Sequence, residues 1–128
     1  MSEDIAVGAT CRPNFSAAGR KRRTRAAQVG AVLAIVALGV VIALDASWPW
    51  RLLVALPAGM AFVSGLQVRR NTCVAHAATG VLENEDFSTT KVEEEFAAAS
   101  RRVAATIWRD SVVSTIVVAI LAAATAFV

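Results

Sequence analysis

The stretch AAQVGAVLAIVALGVVIAL, residues Ala26–Leu44, decides the fold of this chain. It carries no charge, and Gln28 is its only polar member apart from glycine. Its 19 residues approach the ~20 that a helix needs to cross a hydrocarbon core. Ten Val, Leu and Ile residues lie between Val29 and Leu44, and each favours insertion by about 0.3–0.6 kcal/mol near a helix centre. Two similar runs follow, Leu52–Val68 and Ser111–Val128. The first of these is diluted by Pro57, Gly59, Ser64 and Gly65. The last is polar only at Ser111, Ser114, Thr115 and Thr125, whose hydroxyls can bond back to helix carbonyls. A soluble domain of 128 residues has no interior for three such helices. The expected fold class is therefore all-α: a polytopic membrane protein with three transmembrane helices, two as an antiparallel hairpin and one that starts in the cytoplasm. A hydrophobic content of 56% and a mean hydropathy of +0.56 exclude a disordered chain.

Charge placement orients the helices. Arg12, Arg20, Lys21, Arg22, Arg23 and Arg25 precede the first run, Arg69 and Arg70 follow the second, and Arg101, Arg102 and Arg109 precede the third. Only Asp45 and Arg51 fall between the first two runs. The positive-inside rule then predicts a cytoplasmic N-terminus, an outer turn near residues 45–51, a cytoplasmic segment over 69–110 and a C-terminus outside. Trp48 and Trp50 would anchor the outer interface and Trp108 the inner one. The first run is too long, and its basic approach too deep, for a cleaved signal peptide; Ala43-Leu-Asp-Ala46 is also a poor cleavage site.

Four segments follow. Residues 1–19 form a loosely ordered cytoplasmic arm, with Gly8, Pro13 and Gly19. Residues 20–80 form the two-helix transmembrane hairpin with a cytoplasmic extension. Pro57 is expected to kink its second helix, which then runs on without a breaker to a Gly80 cap. Residues 81–89 read as a loop. Residues 90–128 form a long amphipathic-to-transmembrane helix, opened by a Thr90/Glu93 capping box. Val92, Phe96, Ala99, Val103 and Ile107 give it an apolar stripe.

Small residues recur at four-residue spacing: Gly30 and Ala34, Ala55 and Gly59, Ala61 and Gly65, and Ser111, Thr115 and Ala119. Such faces let helices approach closely in lipid, either within this unit or against a partner helix. The run Arg20-Lys-Arg-Arg-Thr-Arg25 suits anionic headgroups, with Arg20, Lys21, Arg22, Arg23 and Arg25 as the contacts. It lacks interleaved aromatics, so nucleic acid is not an expected partner. Cys11, Cys73 and His76 are the only residues with soft-ligand or nucleophile chemistry. As a zinc set they are one ligand short unless Glu83 or Glu85 joins. As a thiol site, Cys73 would need nearby positive charge, for which Arg69 and Arg70 are candidates. The acids at 83–86 and 93–95 read as a solvated face. No ionisable residue falls inside a run, which argues against a proton or cation pathway. Asp45 is the nearest acid for a small multidrug-type transporter. No catalytic residues and no cofactor are predicted.

Asn14, Gly19-Arg20, Arg23, a first span, a Gly-containing second span, then Cys73 and Gly80 form an ordered pattern. Over residues 14–80 it resembles the small two-helix inner-membrane domain of unknown function that bacteria sometimes carry fused to a rhodanese sulfurtransferase. In that family the Cys is typically followed by Pro, where Val74 stands here, and the third helix lies outside the pattern. The resemblance implies a bacterial inner membrane and at most a hint of sulfur chemistry. The expected function is a non-enzymatic accessory or assembly subunit whose partners are the bilayer and other membrane chains or itself. The alternative is a thiol, sulfur-transfer or metal-binding protein acting through Cys73.

Overall fold

Ser16 starts the first long helix: its hydroxyl accepts the Gly19 amide at 2.9 Å, the N-cap geometry that satisfies an otherwise orphaned donor. The computed structural model describes residues 13–128, and α1 runs Ala17–Ala43 within it. It stops where Asp45 turns left-handed (φ 48°). The Asp45 amide then reaches the Ile42 carbonyl at 3.0 Å and the Ala46 amide reaches Val41 at 2.9 Å, a Schellman closure. A short turn leads to α2 (Trp48–Arg51), which begins with Pro49 in its first turn. A 3₁₀ turn, Leu52–Val54, follows, and then α3 (Ala55–Arg69). The expected proline distortion sits just before Pro57: the tightened turn is where its ring would crowd the carbonyl four residues back.

Helix α3 does not continue to Gly80. Asn71 (φ 52°) makes a second Schellman closure, its amide to Val68 at 3.4 Å and the Thr72 amide to Gln67 at 3.0 Å. A separate short α4 (Val74–Thr79) then ends at Gly80 (φ 69°). The expected loop contains a small antiparallel hairpin, β1 (Val81–Glu83) with β2 (Thr89–Lys91), paired Val81↔Lys91 and Glu83↔Thr89. Thr90 belongs to β2, where its hydroxyl accepts from the Asn84 side-chain amide at 2.9 Å. It therefore cannot cap a helix, and α5 opens later, at Glu94, running to Ala124 with a final 3₁₀ turn, Thr125–Phe127. The molecule is mostly helical, with this one hairpin as the exception among the described residues.

Helices α1 and α5 both pack along α3 rather than on each other. Gly30 marks the tightest crossing: a Cβ there would stand 2.8 Å from the Ala61 nitrogen and 2.9 Å from the Pro57 carbonyl oxygen. Two polar ties hold α5 to the hairpin. At one end, buried Arg51 donates to the Ala46 carbonyl at 2.7 Å and the Thr125 hydroxyl at 2.8 Å, with Asp45 at 3.5 Å. At the other, Arg70 donates to Thr106 at 3.0 Å and to Asp110 at 2.5 Å.

Among the described residues, three helices are long and apolar enough to cross a membrane: Ala17–Ala43, Trp48–Arg69 and Glu94–Phe127. Their burial is inverted relative to a soluble domain. Apart from Phe15, Val54, Cys73 and Ile107, the buried apolar residues are alanines. Val32, Ile35, Val36, Leu56, Ile116 and Ile120 face outward, each at least half exposed.

Candidate functional site

The buried polar residues Asn14, Ser16, Arg23 and Glu83 come together at the base of α1, where three separate segments meet. Asn14, almost fully buried, holds them together. Its side-chain oxygen accepts the Cys73 amide at 2.5 Å and its side-chain nitrogen donates to the Cys73 carbonyl at 3.0 Å. Its own carbonyl accepts the Glu83 amide at 3.0 Å. Asn14 thus satisfies the Cys73 amide, which α4 leaves unpaired at its N-cap, and shares the Cys73 carbonyl with the Ala77 amide at 2.9 Å.

Glu83 occupies the centre. Its Oε1 accepts from the Ser16 hydroxyl at 2.9 Å and the Ser16 amide at 3.3 Å. Arg23 Nη1 lies 3.7 Å from the same oxygen, and His76 Nε2 lies 3.7 Å from Oε2. The Arg23 guanidinium also stacks 4.7 Å above the Phe15 ring. Gly19 makes room for this carboxylate, since a Cβ there would fall 1.9 Å from Glu83 Oε1.

Burial alone would push Glu83 up, but the Ser16 hydrogen bonds, helped by Arg23 and His76, hold it below its ordinary value. Burial pushes His76 down, with Arg23 and Arg22 adding to that, and Glu83 does not make up the difference. The junction is therefore an ionised Arg–Glu pair beside a neutral histidine. Removing one member of such a pair leaves an uncompensated buried charge, worth ~3–5 kcal/mol.

Two atoms lining the junction, Arg23 Nη1 and His76 Nδ1, have no hydrogen-bond partner among the described residues. Cys73 is only 5% exposed, and its thiol forms no disulfide there. Cys11 lies outside the described residues. Among the described residues no three of His, Cys, Asp and Glu are grouped so as to hold a metal ion. The junction therefore joins segments rather than presenting reactive groups to solvent.

The structure separates residues that the sequence groups. Arg23, expected at headgroups, is 8% exposed and points inward to Glu83. Arg20 donates to Asn71 Oδ1 at 2.7 Å, Arg22 lies 5.2 Å over the Phe87 ring, and Lys21 and Arg25 are exposed. Glu83 is buried, not part of a solvated acidic face, and Asn14–Ser16 are buried rather than loosely ordered. Trp48 and Trp50 are exposed at the α1–α3 turn, and Trp108 is exposed on α5 beside Arg109.

Most small residues are used within the unit. Gly30 meets Pro57 and Ala61, a Cβ on Gly59 would touch Thr115 at 3.4 Å, Gly65 lies near Ala27, and Ser111 is buried. Ala34 and Ala61 line an open groove, and Ala55 and Ala119 are half-buried. Ala99 and Ile107 of the apolar stripe are buried, and α4 packs against α5. That face is covered by the chain itself. Asp45 is fully exposed at the turn, away from the interior of the helices.

Sequence reading named Glu83 only as a spare zinc ligand and otherwise as part of a solvated face, because Glu83–Asp86 is four acidic or polar residues in a row. The signal that could have found it was Asn14-Phe-Ser16 before a helix: buried caps need a buried partner. No family model matches the chain, and no curated protein or solved structure is similar to it.

Proposed function

We propose that this is a three-span integral membrane protein of the bacterial cytoplasmic membrane, acting as a non-enzymatic accessory or assembly subunit. The observation that carries the reading is the inverted burial: alanine and polar groups inside, valine, leucine and isoleucine outside. Large exposed apolar surfaces on this scale are not tolerated in water. The charge-free length from Arg25 to Ala43 is ~27 Å, close to a ~30 Å hydrocarbon core. The basic end, with Lys21, Arg25 and Arg69, belongs in the cytoplasm in this reading, and Trp48 and Trp50 at the outer interface.

The subunit role follows from what remains open. Helix α3 is flanked by α1 and α5, while the outer faces of α1 and α5 have no protein neighbour among the described residues. Those faces are offered to lipid and to other membrane chains. The resemblance to the two-helix inner-membrane domain forms part of this proposal and rests on the order of Asn14, Gly19, Arg23 and Cys73 in the sequence. A thiol role is less favoured, since reactive cysteines are accessible and Cys73 is enclosed. Cross-linking in native membranes followed by purification tests the role. A reproducible partner chain or homo-oligomer is expected; a strictly monomeric protein with no cross-linked neighbour contradicts it.

A further inference from the structure

Two recesses on α1 line up end to end. At its basic end, Arg20, Lys21, Thr24, Arg25 and Gln28 line a hollow of about 370 Å³. Farther along, an apolar groove of about 260 Å³ lies between Ala31, Ile35 and Leu38 of α1, Ala58 and Phe62 of α3, and Val118 of α5. Residues 20, 24, 28, 31, 35 and 38 follow one another at three- or four-residue steps, so both recesses lie on one helical stripe. From Gln28 to Leu38 the stripe runs ~15 Å, half the thickness of a ~30 Å hydrocarbon core.

We propose that this stripe is a binding site for one anionic phospholipid: its phosphate against Lys21, Arg25 and Arg20, and one acyl chain in the groove. The inference rests on the reading that the helices span a membrane. Charge complementarity selects the occupant. No acid is among the lining residues of either recess; Ala17, which also lines the hollow, donates its amide to Glu85 at 3.1 Å. A partner helix would fill the groove but would leave the basic hollow unmatched. A zwitterionic lipid would fill the groove without a net charge for the hollow. Gln28 sits where the phosphate gives way to the glycerol, and its side-chain amide can donate to the ester oxygens, whereas the Thr24 hydroxyl already donates to the Arg20 carbonyl at 3.0 Å.

Native mass spectrometry of the full chain in detergent, titrated with phosphatidylglycerol or phosphatidylcholine of equal chain length, tests the site. One phosphatidylglycerol is expected to bind at least about tenfold more tightly than phosphatidylcholine. Lys21→Gln and Arg25→Gln should each weaken it about fivefold. Charge removal would also weaken unspecific attraction, so the deciding variant is Ala31→Phe, which fills the groove at an exposed position and changes no charge. It should weaken phosphatidylglycerol binding at least about fivefold; unchanged affinity overturns the site. Ile35→Trp narrows the same groove from a position 72% exposed and serves if the first variant does not fold. Equal binding of the two lipids, or a dimer that excludes lipid, also overturns it. Failure of the membrane reading would be seen separately, as release of the protein from membranes by alkaline carbonate.

Discussion

Glu83 and His76 show how a single acid organises the described part of the chain outside the long helices. Its partners come from Ser16 and Arg23 on one side and His76 on the other, so it ties the start of α1 to α4. Both shifts point the same way in pH. His76 is lowered, so the unfolded chain takes up a proton near the ordinary 6.5 while the folded chain does not. Stability therefore falls as pH drops below about 6.5, until the folded histidine also protonates. Glu83 is lowered too; its contribution is full above its ordinary 4.5 and is lost as pH falls through its folded value. Thermal unfolding in detergent should show two acid losses, the first beginning near pH 6.5. His76→Gln should remove that first loss and leave the second. A profile flat from pH 7 to 5 in the parent chain would contradict the assigned neutral histidine.

At the scale of elements, the helices were legible in the sequence because a charge-free run of 17 to 19 residues matches the length of a bilayer span and exceeds what a small core can bury. Their ends were less so. Asp45 and Asn71 close helices in a left-handed conformation that glycine usually supplies, and neither residue type announces that conformation in the sequence. The hairpin strands are three residues each, too short for a period of two to be read. The polar junction was out of reach because it is non-local: Asn14 meets Cys73 across 59 positions, and no local spacing records such a contact.

Gly30 tests the packing of these elements. Gly30→Ala forces a methyl against the Ala61 and Pro57 backbone and should destabilise the α1–α3 pair by ~1–3 kcal/mol. Gly39, on the same helix, has nothing within 4 Å of an added Cβ. Gly39→Ala should be neutral or gain ~0.5–1 kcal/mol from helix propensity. Unfolding of the two variants side by side in detergent distinguishes them; equal stabilities would contradict the tight crossing.

The whole molecule is a row of three helices closed at both ends by arginines. Arg51 ties the α1–α3 turn to Thr125, and Arg70 ties the end of α3 to Asp110. Along α5 those ties lie ~22 Å apart, bracketing the stretch that carries exposed Val112, Val113, Ile116, Val117, Ile120 and Leu121. Polar groups are thus kept near the two ends and apolar side chains face out between them, the arrangement that a bilayer selects. The central claim is that the chain crosses the membrane three times, with its basic junction in the cytoplasm. It is tested most directly by labelling with a membrane-impermeant maleimide in a background of Cys11→Ser and Cys73→Ala. Ser47→Cys, at the turn between α1 and α2, should label in intact cells. Asp86→Cys, in the hairpin turn, should label only after permeabilisation. Labelling of both positions in intact cells, or of Asp86→Cys alone, would contradict the account.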